Sequence, residues 1–135
     1  MCIRDRPFPF RIAWDLDAKI TMFSCHSLLA PYFTAIWRDA AAHYGELAFR
    51  GLGLDLFGGC FNHRNMRGGD KPSVHSWGAA QDVDPERNQL RWGAGKATLA
   101  RAEYEPFWNI VESYGAVSLG RARNYDWMHF QFCKS

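Results

Sequence analysis

The sequence predicts an α+β fold, a small antiparallel sheet with helices packed on one face and a polar site on the other. Three observations predict it. Two segments carry apolar residues at helical spacing. Short segments with strand-like alternation lie between and after them. The resulting order of helix, strand, loop, strand, helix, strand lacks the regular alternation of a doubly wound fold. At 135 residues the chain suits one domain with one core, assigned to residues 7–135.

Met1 to Arg6 is unlike the start of a packed element and resembles translated adaptor sequence, so it is expected to be non-native or disordered. Residues 7–29 are mixed and support no assignment. Pro31 can open a helix, because its missing N–H would be unpaired in the first turn anyway. Phe33, Trp37, Ala40 and Tyr44 then follow at helical spacing and Gly45 suits the stop, which predicts a core-facing helix over 31–44. Leu52, Leu54 and Leu56 alternate and lead into Gly58-Gly59-Cys60-Phe61. A strand over 52–61 is expected, with a bend or a close backbone approach at the glycines. Residues 62–77 read as a polar loop. Ala79 to Val83 reads as a short strand that delivers Asp82, and Asp84-Pro85-Glu86-Arg87-Asn88 has the composition of a turn.

A second helix fits 105–114, with Pro106 in its first turn and Phe107, Ile110, Val111 and Tyr114 on one face. Trp127 to Phe132 reads as a terminal strand. Met128, Phe130 and Phe132 share one face, and Trp127, His129 and Gln131 the other, which turns His129 toward a cleft.

Composition narrows the function classes. Apolar content is 47% and charged content 22%, the balance of a globular chain. The net charge of +2 and the lack of a basic stripe argue against nucleic acid. No apolar run approaches the ~18 residues of a membrane span. No signal-peptide core is visible, so a cytoplasmic location without Sec-type export is expected. The four cysteines are widely spaced with no CxxC pair, and are expected to be thiols in a reducing compartment.

Two segments carry the chemistry: Ser73-Val-His75-Ser-Trp-Gly78-Ala-Ala80-Gln-Asp82 and Asp126-Trp-Met-His129-Phe. Two imidazoles and a carboxylate can supply three ligands to a catalytic zinc, leaving a fourth position for water. A second carboxylate can then take a proton from that water. On residue types alone such a set is common, and His26 and His43 are read as structural. Asp84 is a rival to Asp82.

The pattern Ser73-x-His75-x-x-Gly78-x-Ala80-x-Asp82 followed by Asp126-x-x-His129 resembles the motif pair of the zinc D-Ala-D-Ala carboxypeptidases and dipeptidases and of the phage L-alanyl-D-glutamate endolysins. These belong to the wider group that includes lysostaphin-type peptidases and the hedgehog domain. The similarity covers roughly residues 50–132, including Gly59-Cys60-Phe61-Asn62-His63-Arg64 and His129-Phe130-Gln131. It implies a hedgehog/DD-peptidase-like fold with Zn²⁺ held by His75, Asp82 and His129 on the sheet face away from the helices. It also implies Asp126 as general acid/base, Arg64 as the group that holds substrate and stabilises the oxyanion, and Ser73 as a substrate-binding residue. Arg67 competes with Arg64 for that role. Gln81 stands where related sequences carry an apolar residue, which is expected to loosen packing beside Asp82.

The implied activity is hydrolysis of a peptidoglycan stem peptide by a monomer, in a phage or prophage lysis setting and with no nucleic-acid or membrane partner. The L-Ala-D-Glu endopeptidase and D-Ala-D-Ala carboxypeptidase subtypes both fit. A non-catalytic metal-bearing peptide- or wall-binding module is the alternative from another class, and a small nuclease using Asn62, His63 and Arg64 is a third reading.

Overall fold

The computed structural model describes residues 2–59 and 78–132, with side chains described outside 2–7 and 21–24. The first element is a hairpin of β1 (Cys2–Ile12) and β2 (Asp15–Cys25), joined by Ala13-Trp14. It occupies residues 7–25 of the 7–29 stretch where the sequence supports no assignment, and also takes in Cys2 to Arg6. Pairing runs from Cys2↔Cys25 to Asp5↔Met22 and resumes at Phe10↔Ile20. The break falls on Pro7 and Pro9, which have no N–H to give to a ladder.

Helix α1 (Ala30–Tyr44) has Pro31 in its first turn and ends at Gly45 (φ 78°), as the spacing predicts. Its inward stripe is Ala30, Phe33, Ile36, Trp37 and Ala40. A short helix, α2 (Glu46–Gly51), comes next. The strand expected over 52–61 starts only at Leu56, as β3 (Leu56–Gly59), and its expected end at Cys60 and Phe61 lies outside the described residues, as does the loop expected over 62–77. The alternating leucines before it belong to a turn. Gly53 (φ 75°) reverses the chain there, and buried Asp55 accepts hydrogen bonds from Arg11 (2.8 and 2.9 Å) and Arg50 (3.1 Å). A loose period of two arose there without a strand.

β4 (Ala80–Val83) matches its expected place, and Pro85–Arg87 forms a single 3₁₀ turn. α3 (Glu105–Ser113) buries Phe107, Trp108 and Val111. β5 (Val117–Ser118), α4 (Leu119–Arg123) and β6 (His129–Gln131) complete the described elements.

The sheet order is β2-β1-β3-β4-β6-β5. The expectation of a purely antiparallel sheet is corrected, because β1 and β3 run parallel through Arg11↔Leu56 and Ile12↔Phe57. A parallel pair needs a long crossover. Here β2, α1 and α2 supply it, and their first part was the stretch without a sequence signal. The other pairings are antiparallel.

The core lies between the sheet and the α1–α3 layer. The Trp37 ring is 5.2 Å from Phe10, 5.5 Å from Phe107 and 6.0 Å from Phe130. These rings join β1, α1, α3 and β6 into one aromatic cluster, and such offset and edge contacts contribute about 0.5–1.5 kcal/mol each beyond burial. Among the described residues no helix is long and apolar enough to cross a membrane.

Candidate metal centre

β4 and β6 place their side chains by alternation. Gln81 and Phe130 are paired across the ladder, as are Asp82 and His129. Phe130 is in the aromatic core, so Asp82 and His129 project from the other face. This face is the one the terminal-strand pattern assigned to His129.

Asp82 sits close because β3 has no side chain opposite it. A Cβ on Gly58 would lie 3.0 Å from the Asp82 Cβ and 3.2 Å from its carbonyl oxygen. The close approach expected at Gly58-Gly59 is therefore present, and it serves Asp82. Gly78 makes a second one. It adopts φ 67°, and its carbonyl accepts from the His26 N–H at 3.0 Å. A Cβ there would lie 2.6 Å from the His26 nitrogen.

The His129 Nδ1 lies 3.1 Å from Asp82 Oδ1 and 3.9 Å from Asp126 Oδ2, and its Nε2 lies 2.7 Å from Gln131 Oε1. Asp126 precedes the strand in a left-handed conformation (φ 53°). Its N–H donates to the Leu90 carbonyl at 2.7 Å, and its own carbonyl accepts from the His129 N–H at 3.0 Å. Strand alternation would send positions 126 and 129 to opposite faces. The left-handed turn returns the Asp126 carboxylate to the His129 side.

Asp82, Asp126 and His129 are 8%, 7% and 6% exposed. Two nearly buried carboxylates facing one ring need a positive charge between or beside them. Without metal, the ring supplies it. Burial is the largest influence on His129 and opposes the charged form. The hydrogen bond to Asp82 and the charges of Asp82 and Asp126 outweigh it together and hold the ring above its usual value.

The donor set suits a divalent cation, with one imidazole nitrogen and carboxylate oxygens. Two ligands at ~2.0–2.1 Å in tetrahedral arrangement are separated by about 3.3 Å. The 3.1 Å between Nδ1 and Asp82 Oδ1 is close to that figure. Among the described residues no three His, Cys, Asp or Glu side chains form a complete metal-holding group. The third ligand expected from the sequence, His75, lies outside the described residues, as do Ser73, Arg64 and the rival Arg67.

Other expectations resolve locally. Asp84 is no alternative to Asp82 in this geometry. It adopts φ 47° after the strand, and its carboxylate accepts from Arg87 Nε at 2.7 Å. Gln81 is fully buried: its Oε1 accepts from the Trp37 indole N–H at 2.6 Å, while its Nε2 has no hydrogen-bond partner among the described residues. Trp127 packs in the core, with its ring 6.3 Å from Trp108 and its indole N–H on Asn124. The His26 carbonyl accepts from the Leu29 and Ala30 N–H groups at the start of α1, a structural role. His43 is exposed, its ring against Tyr44.

Sequence reasoning gave Gln131 a face but no role. Its signal was the period of two, which sets position 131 beside 129. A groove of about 790 Å³ is lined by Trp14, Pro85, Leu90, Trp92 and Met128 among others, and by none of Asp82, Asp126, His129 and Gln131. Met128 precedes His129 in the chain, and Leu90 provides the carbonyl that holds Asp126.

No protein-family model, curated protein or solved structure matches the chain.

Proposed function

We propose that the chain is a zinc-dependent peptidase that hydrolyses peptidoglycan stem peptides, as an L-Ala-D-Glu endopeptidase or a D-Ala-D-Ala carboxypeptidase. The observation that carries this reading is the convergence of Asp82, Asp126 and His129 at the mouth of one sheet face. A buried pair of carboxylates around one imidazole nitrogen is costly unless a positive charge stands with them, from the protonated ring or from a bound cation that replaces its proton. The motif spacing that carries the family resemblance adds His75, Arg64 and Ser73 to the same site.

In this reading His75, Asp82 and His129 hold the metal. Bound there, zinc supplies an acidified water and a Lewis acid toward the peptide carbonyl. Asp126 accepts the water's proton on its carboxylate and passes it to the leaving amine. Arg64 stabilises the oxyanion through its guanidinium, and Ser73 orients the peptide. A groove of this size is within the ~300–1,000 Å³ usual for ligand clefts, and its place beside Met128 and Leu90 suits it to the chain flanking the scissile bond.

The test is peptidoglycan digestion by the full chain with zinc, read by mass spectrometry of the released peptides. New amino termini that vanish on chelation support the peptidase, and the peptide masses identify which bond is cut. Zinc uptake with intact wall peptides would replace it with the binding-module alternative.

A further inference from the structure

We propose that Gln131 is a positioning residue that commits the His129 ring to present Nδ1 to the cation. The inference rests on the reading of this site as a metal centre. A neutral imidazole offers one lone pair, and the partner of the other nitrogen decides which one it is. Nε2 lies 2.7 Å from Gln131 Oε1. An amide oxygen only accepts, so Nε2 is the donor and keeps its proton. Nδ1 then faces Asp82 Oδ1 at 3.1 Å and Asp126 Oδ2 at 3.9 Å, the side where a cation is needed.

The fold builds this arrangement. Gln131 follows His129 by two positions on the same strand face, so the amide reaches the ring along the strand. Gln131 is 4% exposed, which shields its bond to the ring from competing water. Its ladder partners are Val117 on β5 and Ala80 on β4, and the single methyl of Ala80 leaves space on that side for the longer side chain. The choice of an amide also has a reason. A carboxylate at 131 would orient the ring equally well but would add a third negative charge to Asp82 and Asp126.

The experiment compares the full chain with Gln131→Met, which has similar length and no amide oxygen, and with Gln131→Glu, which keeps an acceptor. Zinc affinity is measured by competition with a chromogenic chelator. The ¹⁵N spectrum of the His129 ring in the zinc-loaded protein shows which nitrogen carries the proton. We expect a protonated Nε2 in the parent chain. In Gln131→Met, zinc affinity should fall about 10–100-fold, the usual effect of losing a partner that orients a ligand, and the Nε2 proton should exchange faster. Gln131→Glu should restore both. The proposal is overturned if Gln131→Met binds zinc within twofold of the parent with an unchanged ring spectrum, or if Nε2 is the ligating nitrogen. A parent chain that takes up no zinc through His129 removes the metal centre and this proposal together. The expected Gln131 results with uncut stem peptides leave the proposal standing and remove only the peptidase.

Discussion

The carboxylate of Asp126 lies 3.9 Å from the Nδ1 of His129, although only a turn joins the two residues. The turn is closed by the His129 N–H on the Asp126 carbonyl at 3.0 Å and anchored by the Asp126 N–H on Leu90. A positive φ is uncommon for a residue other than glycine, but Asp and Asn adopt it far more readily than most. Backbone and side chain at 126 therefore separate: the fold requires a left-handed turn, and the proposed function adds a group able to exchange a proton.

Asp126→Asn satisfies the first demand and not the second. Its unfolding midpoint should stay near that of the parent and zinc should still bind. Release of new amino termini from peptidoglycan should fall about 10²–10⁴-fold, the range for removal of a general acid/base. Parent-level turnover in this variant would remove Asp126 from the chemistry.

Asp82 and Asp84 should separate cleanly. Asp82→Asn should abolish tight zinc binding, because an amide is a poor substitute for a carboxylate ligand. Asp84→Asn should leave zinc binding intact and cost stability, by about 1 kcal/mol for a charged hydrogen bond to a half-exposed arginine. Zinc titration beside chemical denaturation of both variants checks this, and loss of zinc in Asp84→Asn would reverse the assignment.

Two glycines should respond differently to alanine. At Gly78 a Cβ would meet the His26 backbone at 2.6 Å, and φ is 67°. A loss of about 2 kcal/mol or more is expected from the left-handed strain and the backbone clash together. At Gly58 the Cβ would press on the Asp82 Cβ at 3.0 Å and the Pro85 ring at 3.1 Å. Overpacking there should cost about 1–3 kcal/mol and weaken zinc binding by displacing Asp82. Equal zinc affinity in Gly58→Ala and the parent would show that β4 gives way without moving the ligand.

The metal-free protein should depend on pH through His129. Burial opposes protonation, but Asp82 and Asp126 together raise the folded pKa above the usual 6.5. The sign follows from linkage: the ring adds stability fully below its unfolded value and loses it as pH rises through the folded one. Zinc competes with the same proton, so its apparent affinity should rise with pH across that window and level off above it. NMR titration of the ring, with zinc binding at several pH values, tests both. A ring that titrates below 6.5 without metal would contradict the arrangement.

What the sequence revealed follows from how local each signal is. α1 carried a proline at its start, a glycine at its end and a stripe between, all within fifteen residues. β4 and β6 were short, but each was tied to a chemical residue that alternation had to face one way. The β1–β2 hairpin was hidden because its turn is Ala13-Trp14, without the glycine or asparagine that marks tight hairpins, and because Pro7 and Pro9 interrupt a strand that lies inside the sheet. The parallel β1–β3 pair is a long-range choice that no local pattern encodes. Within the candidate site, Asp82, Asp126 and His129 stood out by their spacing in the two motifs, since their residue types alone are common. Gln131 did not, because an amide two places along a strand looks like any polar residue until its distance to the ring is known.

The hydrogen bond from Trp37 to Gln81 ties the hidden side of the sheet to the residue next to Asp82. Positions 37 and 81 therefore form one unit of variation. A smaller apolar residue at 37 strands a buried amide, and an apolar residue at 81 strands a buried indole N–H. Through this bond a change in the helix layer is felt at the residue beside Asp82. A chain that acquires an apolar residue at 81 should carry a compensating change at 37, in the core behind the sheet.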